Sequence, residues 1–250
     1  MDYKTGNPGL NEKTFATVAR PLAADERMTL QGTVNKSFLL LVVLLLTALW
    51  SWTRFYAAGG DPAAVAAMML VGLIGGLVLA LIIAFKQTTA PYLAVPYAAL
   101  EGLAIGGISA IFEKRYPGIA IQAVALTFGV MGALLFAYTS HIIKVTEHFK
   151  SIVVGATGAI ALVYLVSFVL GFFHINVPFL NDASPLGIVV SLAIIVVAAL
   201  NLVMDFDFIH GGIERGAPRY MEWYGAFGLL VTLVWLYLEI LRFLGKLRQR

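Results

Sequence analysis

Seven apolar windows, at 37–56, 63–85, 91–112, 119–141, 152–173, 186–204 and 221–244, constrain this chain more than any other feature. Crossing about 30 Å of hydrocarbon takes roughly 20 mostly apolar residues in a helix. In lipid every backbone polar group must also be satisfied within the protein, which leaves helices or closed barrels. The windows are joined by turn-forming links such as Gly59-Gly60-Asp61-Pro62, Tyr116-Pro117-Gly118 and Asn181-Asp182-Ala183-Ser184-Pro185. They predict an all-α membrane protein, a single seven-helix bundle over 37–250 with a short basic carboxyl-terminal tail, and no second domain. Composition agrees: 60% of residues are hydrophobic and 12% charged, where a soluble domain is about half apolar and about a quarter charged.

Residues 1–36 form a charged tail with Pro8 and Pro21, read as a mobile segment with a short surface helix. Because the first apolar window follows this long tail rather than a short basic start, it reads as a retained span and not a cleavable signal. Lys and Arg are more numerous in the tail and in the links holding Lys86, Lys144, Lys150, Arg215 and Arg219 than on the opposite side, with Arg54, Lys114 and Arg115. That bias favours a cytoplasmic amino terminus. Window 221–244 is long enough for a full crossing, which places Arg242, Lys246, Arg248 and Arg250 on the far side. The basic balance thus reads as orientation and headgroup contact, and no basic stripe with interleaved aromatics points to nucleic acid. The chain has no cysteine, which excludes disulfides, thiol catalysis and thiolate metal sites.

Small residues at four-residue spacing, Gly72 with Gly76, Ala98 with Gly102 and Gly106, and Gly155 with Ala159, predict close helix packing rather than a pore lining. Pro91 suits a first helical turn, and Pro96 is expected to loosen the start of the same helix. Trp50, Trp52, Tyr56, Trp223 and Tyr224 lie near window ends, as in an interfacial aromatic belt.

Ionisable residues within apolar spans are costly and are functional candidates by default. Glu101 sits mid-window beside the small-residue face, so it should point into the bundle, where a cation or hydrogen-bonding neighbour satisfies it or it stays protonated. Asp205 and Asp207 are two apart, about 200° around a helix, so they cannot act as one carboxylate pair. Asp205 is the inward candidate, and Asp207 is placed to make a local hydrogen bond with His210. Glu239 precedes Arg242 by three residues, a spacing for a local ion pair as much as for a functional acid. Thr232, one heptad before Glu239, projects from nearly the same face. Lys86 could snorkel to the surface or reach an acid across the bundle. Glu147 and His148, with Lys144 and Lys150, read as a solvated link, and Asn201 as either a helix bridge or an ion contact. No phosphate-binding glycine loop, His-Glu-x-x-His or Gly-x-Ser-x-Gly is present, which disfavours an enzyme, and no metal centre is assigned. The two halves show no similarity of the kind that marks an inverted-repeat transporter.

The stretches Leu202-Val203-Met204-Asp205-Phe206-Asp207-Phe208-Ile209, Arg219-Tyr220-Met221-Glu222-Trp223-Tyr224 and Leu236-Tyr237-Leu238-Glu239-Ile240-Leu241-Arg242-Phe243-Leu244 resemble the Bax inhibitor 1 family in its bacterial branch. The resemblance covers nearly all of 36–244 in span number and order, and Asn7-Pro8-Gly9-Leu10 in the tail is similar too. It implies six helices around a central seventh, in the bacterial inner membrane. It also implies a pH-sensitive leak or regulator of membrane calcium, with no cofactor beyond calcium as the permeant ion; some bacterial members bind and restrain a membrane-anchored AAA protease. In the calcium-leak members an aspartate ending the sixth helix pairs with one in the seventh, and an arginine after the second helix latches onto both. Asp205 falls on the first position, Thr232 on the second and Lys86 on the third. With threonine at 232 the paired-acid sensor does not carry over intact, because the like-charge repulsion that makes one of two neighbouring acids hold its proton is then lost. Either Glu101, Glu222 or Glu239 supplies the second acid, or this branch does not gate in that way.

Overall fold

The computed structural model describes residues 26–173 and 182–249. Among them, seven helices are long and apolar enough to cross a membrane. They are α1 (Leu30–Ala57), α2 (Ala63–Phe85), α3 (Ala90–Arg115), α4 (Ile119–Thr139), α5 (Glu147–Phe172), α6 (Pro185–Glu214) and α7 (Met221–Leu247), with a short 3-10 turn, Gln87–Thr89, leading into α3. The fold is an all-α seven-helix bundle.

Helix α7 lies at the centre, against α1, α3, α4 and α6. The most apolar part of α7 is 56% buried, against 6% for α5. The six other helices therefore do not form an even ring. Four surround α7, while α2 backs onto α3 and α5 onto α6, leaving most of their side chains to face lipid. The glycine pattern explains the closest contacts. A methyl added at Gly72 would meet the Leu100 carbonyl oxygen at 2.5 Å, and one at Gly102 or Gly106 would collide with the α1 backbone at Leu44 or Ala48. Only glycine lets these backbones approach so far. Gly155 behaves otherwise: it faces open space, because α5 meets α6 through another side, so the close packing expected at Gly155 and Ala159 is absent.

Helix ends follow local chemistry. Pro91 stands in the first turn of α3, and the helix runs unbroken through Pro96 rather than loosening there. Ser184 caps α6, its hydroxyl accepting from Gly187 N at 3.1 Å, with Pro185 behind it. Glu113, at the end of α3, accepts from Gly118 N at 2.5 Å and Ala120 N at 3.0 Å and so caps α4 from outside. Glu113→Ala should lower stability by about 1–2 kcal/mol, read as a modest fall in melting temperature.

Five helices extend beyond their windows, α1 and α6 by the most. Helix α1 begins at Leu30, capped by the Thr29 hydroxyl, so the last residues of the expected tail are helical; residues 1–25 and their expected surface helix lie outside the described residues. Helix α6 continues past Asp205 to Glu214, carrying His210 on a helix rather than in a link. Residues 26–28 run beside the α6–α7 link, with Met28 N donating to Ala217 O at 2.7 Å and Arg219 N to Glu26 O at 2.8 Å. Lys36 on α1 then pairs with Glu222 in the first turn of α7, whose Oε1 also accepts from Thr29 N at 2.9 Å and Thr29 Oγ1 at 2.8 Å.

Candidate functional site

Helix α6 turns Asp205 toward α7 and Asp207 toward α5, as their spacing requires. Asp205 faces the Thr232 hydroxyl, and a methyl added at Gly228 would stand 3.9 Å from its Oδ1. Glycine at 228 thus leaves room for the carboxylate against the central helix. Oδ2 of Asp205 is buried with no hydrogen-bond partner. Buried polar oxygens are nearly always paired, so an unpaired carboxylate oxygen here is one that a water, a proton or a cation would suit.

Glu101 is half-buried on α3 and packs on α2, where a methyl at Gly76 would come within 2.8 Å of its Oε2. No ion pair among the described residues includes Asp205 or Glu101. Helices α3 and α7 run parallel, their ends joined where Arg248 donates to Pro117 O at 2.7 Å. One level is marked by Tyr97 edge-on to Phe227, with centroids 4.9 Å apart. Glu101 follows Tyr97 by one turn, and Gly228 and Thr232 follow Phe227 by one and five residues. Both acids therefore lie within about one turn of a common depth. No hydrogen bond joins them among the described residues.

The other acids are occupied. Glu239, buried on α7, accepts from Tyr164 Oη at 2.7 Å and Trp235 Nε1 at 3.2 Å, with Arg242 at 3.5 Å. Arg242 also donates to Tyr164 Oη at 2.9 Å, so this trio ties α7 to α5. Asp207 pairs with Lys150 of α5 at 3.1 Å and not with His210, which instead meets Glu214 at 3.2 Å. Lys150, expected in a solvated link, is thus part of an interhelical bridge. Asn201 donates to Thr157 Oγ1 at 2.8 Å and resolves as a helix bridge. Lys86, at the end of α2, is exposed and makes no ion pair among the described residues. Of the three acids that could stand in for the one absent at 232, Glu222 and Glu239 are bound to cations and donors, which leaves Glu101. Among the described residues no three His, Asp or Glu side chains gather as a metal centre would require.

Sequence reasoning missed the Lys36–Glu222 pair, whose partners are 186 residues apart. It also missed Lys246, buried on α7, which donates to Gly187 O at 3.1 Å and Ser191 Oγ at 2.8 Å. Nothing in the local pattern at Lys36 or Lys246 distinguishes either from an interfacial lysine. A cavity of about 400 Å³ lies between α1, α3, α4 and α7, and neither Asp205 nor Glu101 is among its lining residues.

A family model described as Bax inhibitor 1 like matches residues 7–249. The chain belongs to the Bax inhibitor 1 like family. Comparison with curated proteins and with solved structures returned no match. This Bax inhibitor 1 like chain is a multi-pass membrane protein. Within its described residues, the Thr232 hydroxyl of the central helix faces Asp205.

Proposed function

We propose that the protein passes a cation, calcium in the first instance, slowly across the bacterial inner membrane, with its amino terminus cytoplasmic. Asp205 is the residue that meets the ion, the Thr232 hydroxyl is a second oxygen beside it, and Glu101 is a second acid at the same depth. The carrying observation is Oδ2 of Asp205, buried and unpartnered against the central helix. An anionic oxygen in that position favours a passing cation and is equally open to a proton. Calcium takes 6–8 oxygen ligands, and one carboxylate with one hydroxyl supplies few of them. Water and backbone carbonyls would complete the shell, which suits a transit site and not a storage site. The proposed role is transport rather than catalysis.

Calcium flux into proteoliposomes tests this. Asp205→Asn combined with Glu101→Gln should abolish most of the flux while leaving the melting temperature near that of the wild type. Unchanged flux in that double variant discards the mechanism. Protons compete with the cation for the carboxylate, so flux is expected to fall as pH falls. Thr232→Asp, which rebuilds an acid pair, should move the midpoint of that fall to higher pH, because one proton is held more tightly between two like charges. A midpoint that stays put would show that residue 232 does not sense the charge at 205.

A further inference from the structure

Helix α5 is held differently from the other spans. Val153 is its one fully buried residue, and a methyl added at Gly155, Gly158 or Gly171 would meet nothing within 4 Å. It packs on α6 and not along α4, the helix that precedes it. What holds it is a narrow seam of side chains recurring every three or four residues, Lys150, Val153, Thr157, Ile160, Tyr164 and Ser167, all buried or half-buried. Three of them, seven residues apart, make polar ties to the neighbouring helices. Lys150 meets Asp207 at 3.1 Å, the Thr157 hydroxyl accepts from Asn201 at 2.8 Å, and Tyr164 Oη donates to Glu239 at 2.7 Å. The Ser167 hydroxyl, next along the seam, is buried with no hydrogen-bond partner.

Such a seam is weak for its length. Apolar contact does not favour a neighbouring helix over lipid, and a polar tie between spans gains little because each group finds other partners on separation. The unpaired Ser167 hydroxyl costs the packed arrangement further. Low burial with few ties marks an element that separates before the rest of a fold does. The link before α5 supplies a pivot: His141 has φ 55°, the one residue other than glycine with a positive φ among the described residues. A left-handed backbone at such a residue carries strain, and link residues absorb the rotation when an element swings. The seam also borders the Asp205 site. Asn201 stands one turn from Asp205 on the same face of α6, and Glu239 two turns beyond Thr232 on α7.

We propose that α5 is the moving wall of the cation path, an inference that rests on the reading of Asp205 as the transit site. It pivots about the α4–α5 link, its Lys150 end staying on Asp207 while Thr157 and Tyr164 part from Asn201 and Glu239. Water enters the opened seam because polar side chains line it. Arg242, its side chain already 38% exposed, turns to the surface once Tyr164 has left. The Asn201 side-chain oxygen and the Glu239 carboxylate then become further oxygens for the cation beyond Asp205. The arrangement with all three ties made is the closed one.

The chain has no cysteine, so spin labels and disulfides can be placed at chosen positions in the full-length protein. Nitroxides at Leu70→Cys and Leu165→Cys, both exposed on the outside of the bundle, report on the far half of α5 in liposomes, and Leu81→Cys with Ile152→Cys reports on the end near the pivot. The far pair should show a second, longer distance beside the main one. Tyr164→Phe, or Thr157→Val should that variant fold poorly, should raise the share of the longer distance several-fold and leave the near pair unchanged. A single far distance that neither variant alters overturns the movement, and equal lengthening of both pairs overturns the pivot. Thr157→Cys with Asn201→Cys then replaces a breakable tie with a disulfide. In proteoliposomes the oxidised form should pass several-fold less calcium than the same protein after reduction, and equal flux in the two forms overturns α5 as the wall of the path. A wild type that passes no calcium sinks the reading of Asp205, while the distances still decide whether α5 moves.

Discussion

A Gly106→Val variant is expected to lose about 3 kcal/mol of stability or more, at or beyond the upper end of typical overpacking costs. In a chain of this size that is a fall in melting temperature of roughly 6–12 °C. The reason is the identity of the colliding atoms. A Cβ at Gly106 meets the Ala48 carbonyl, and one at Gly102 meets the Leu44 carbonyl and the Thr47 hydroxyl. A carbonyl in a helix cannot turn aside, so α1 and α3 must part along their longest contact. Apolar burial does not drive helices together in lipid, so the lost close packing has little to replace it. Gly158→Ala on α5 is the control, since nothing lies within 4 Å of the added methyl. There the better helix propensity of alanine should leave stability unchanged or raise it by up to about 1 kcal/mol. Melting curves in one detergent settle the comparison, and equal losses at both glycines would contradict the packing described.

Glu222→Ala should be nearly as damaging, costing about 3–5 kcal/mol if the pair behaves as a buried one. Lys36 keeps 17% of its side chain exposed while Glu222 keeps 2%, so water relieves part of the loss and the lower end of that range applies. The change strands the Lys36 ammonium beside the Trp223 ring, 5.4 Å from its centroid. It also removes the acceptor of two hydrogen bonds donated by Thr29, the residue that caps α1. Replacing both partners, Lys36→Met with Glu222→Met, should recover most of the stability, because no unpaired charge remains. Backbone amides of Met28 and Arg219, which tie the start of α1 to the α6–α7 link, should exchange faster in the single variant than in the wild type. A double variant no more stable than Glu222→Ala alone would show that the pair holds the two helix starts together in some other way.

The bundle was legible because lipid leaves so few choices. All seven windows became helices, and the largest boundary shifts lie where polar turns extend beyond the apolar run, at 30–36, 147–151 and 205–214. Pro91 at the start of α3 could be read locally, since its place in a first turn depends on residues a few positions away, whereas the glycines of α2 and α3 gave only a spacing whose partner helix had to be seen. Asp205 and Asp207 point opposite ways because helical geometry allows nothing else. What could not be read was who stands across from whom. Glu222 and Glu239 look as available as Glu101 until Lys36 and Tyr164 arrive from distant helices. Gly155 carries the same spacing as Gly102 but sits on a helix with no neighbour on that face. Composition is blind to such pairings, which depend on the order of helices around α7.

The central claim is that a cation and a proton compete for the Asp205 carboxylate beside the central helix. It is met most directly by measuring calcium flux in proteoliposomes from pH 5 to 8 for the wild type and for Asp205→Asn at matched protein density. The account predicts that wild-type flux declines on acidification and that the asparagine variant shows a low flux independent of pH. A variant that leaks like the wild type, with the same dependence on pH, would contradict it.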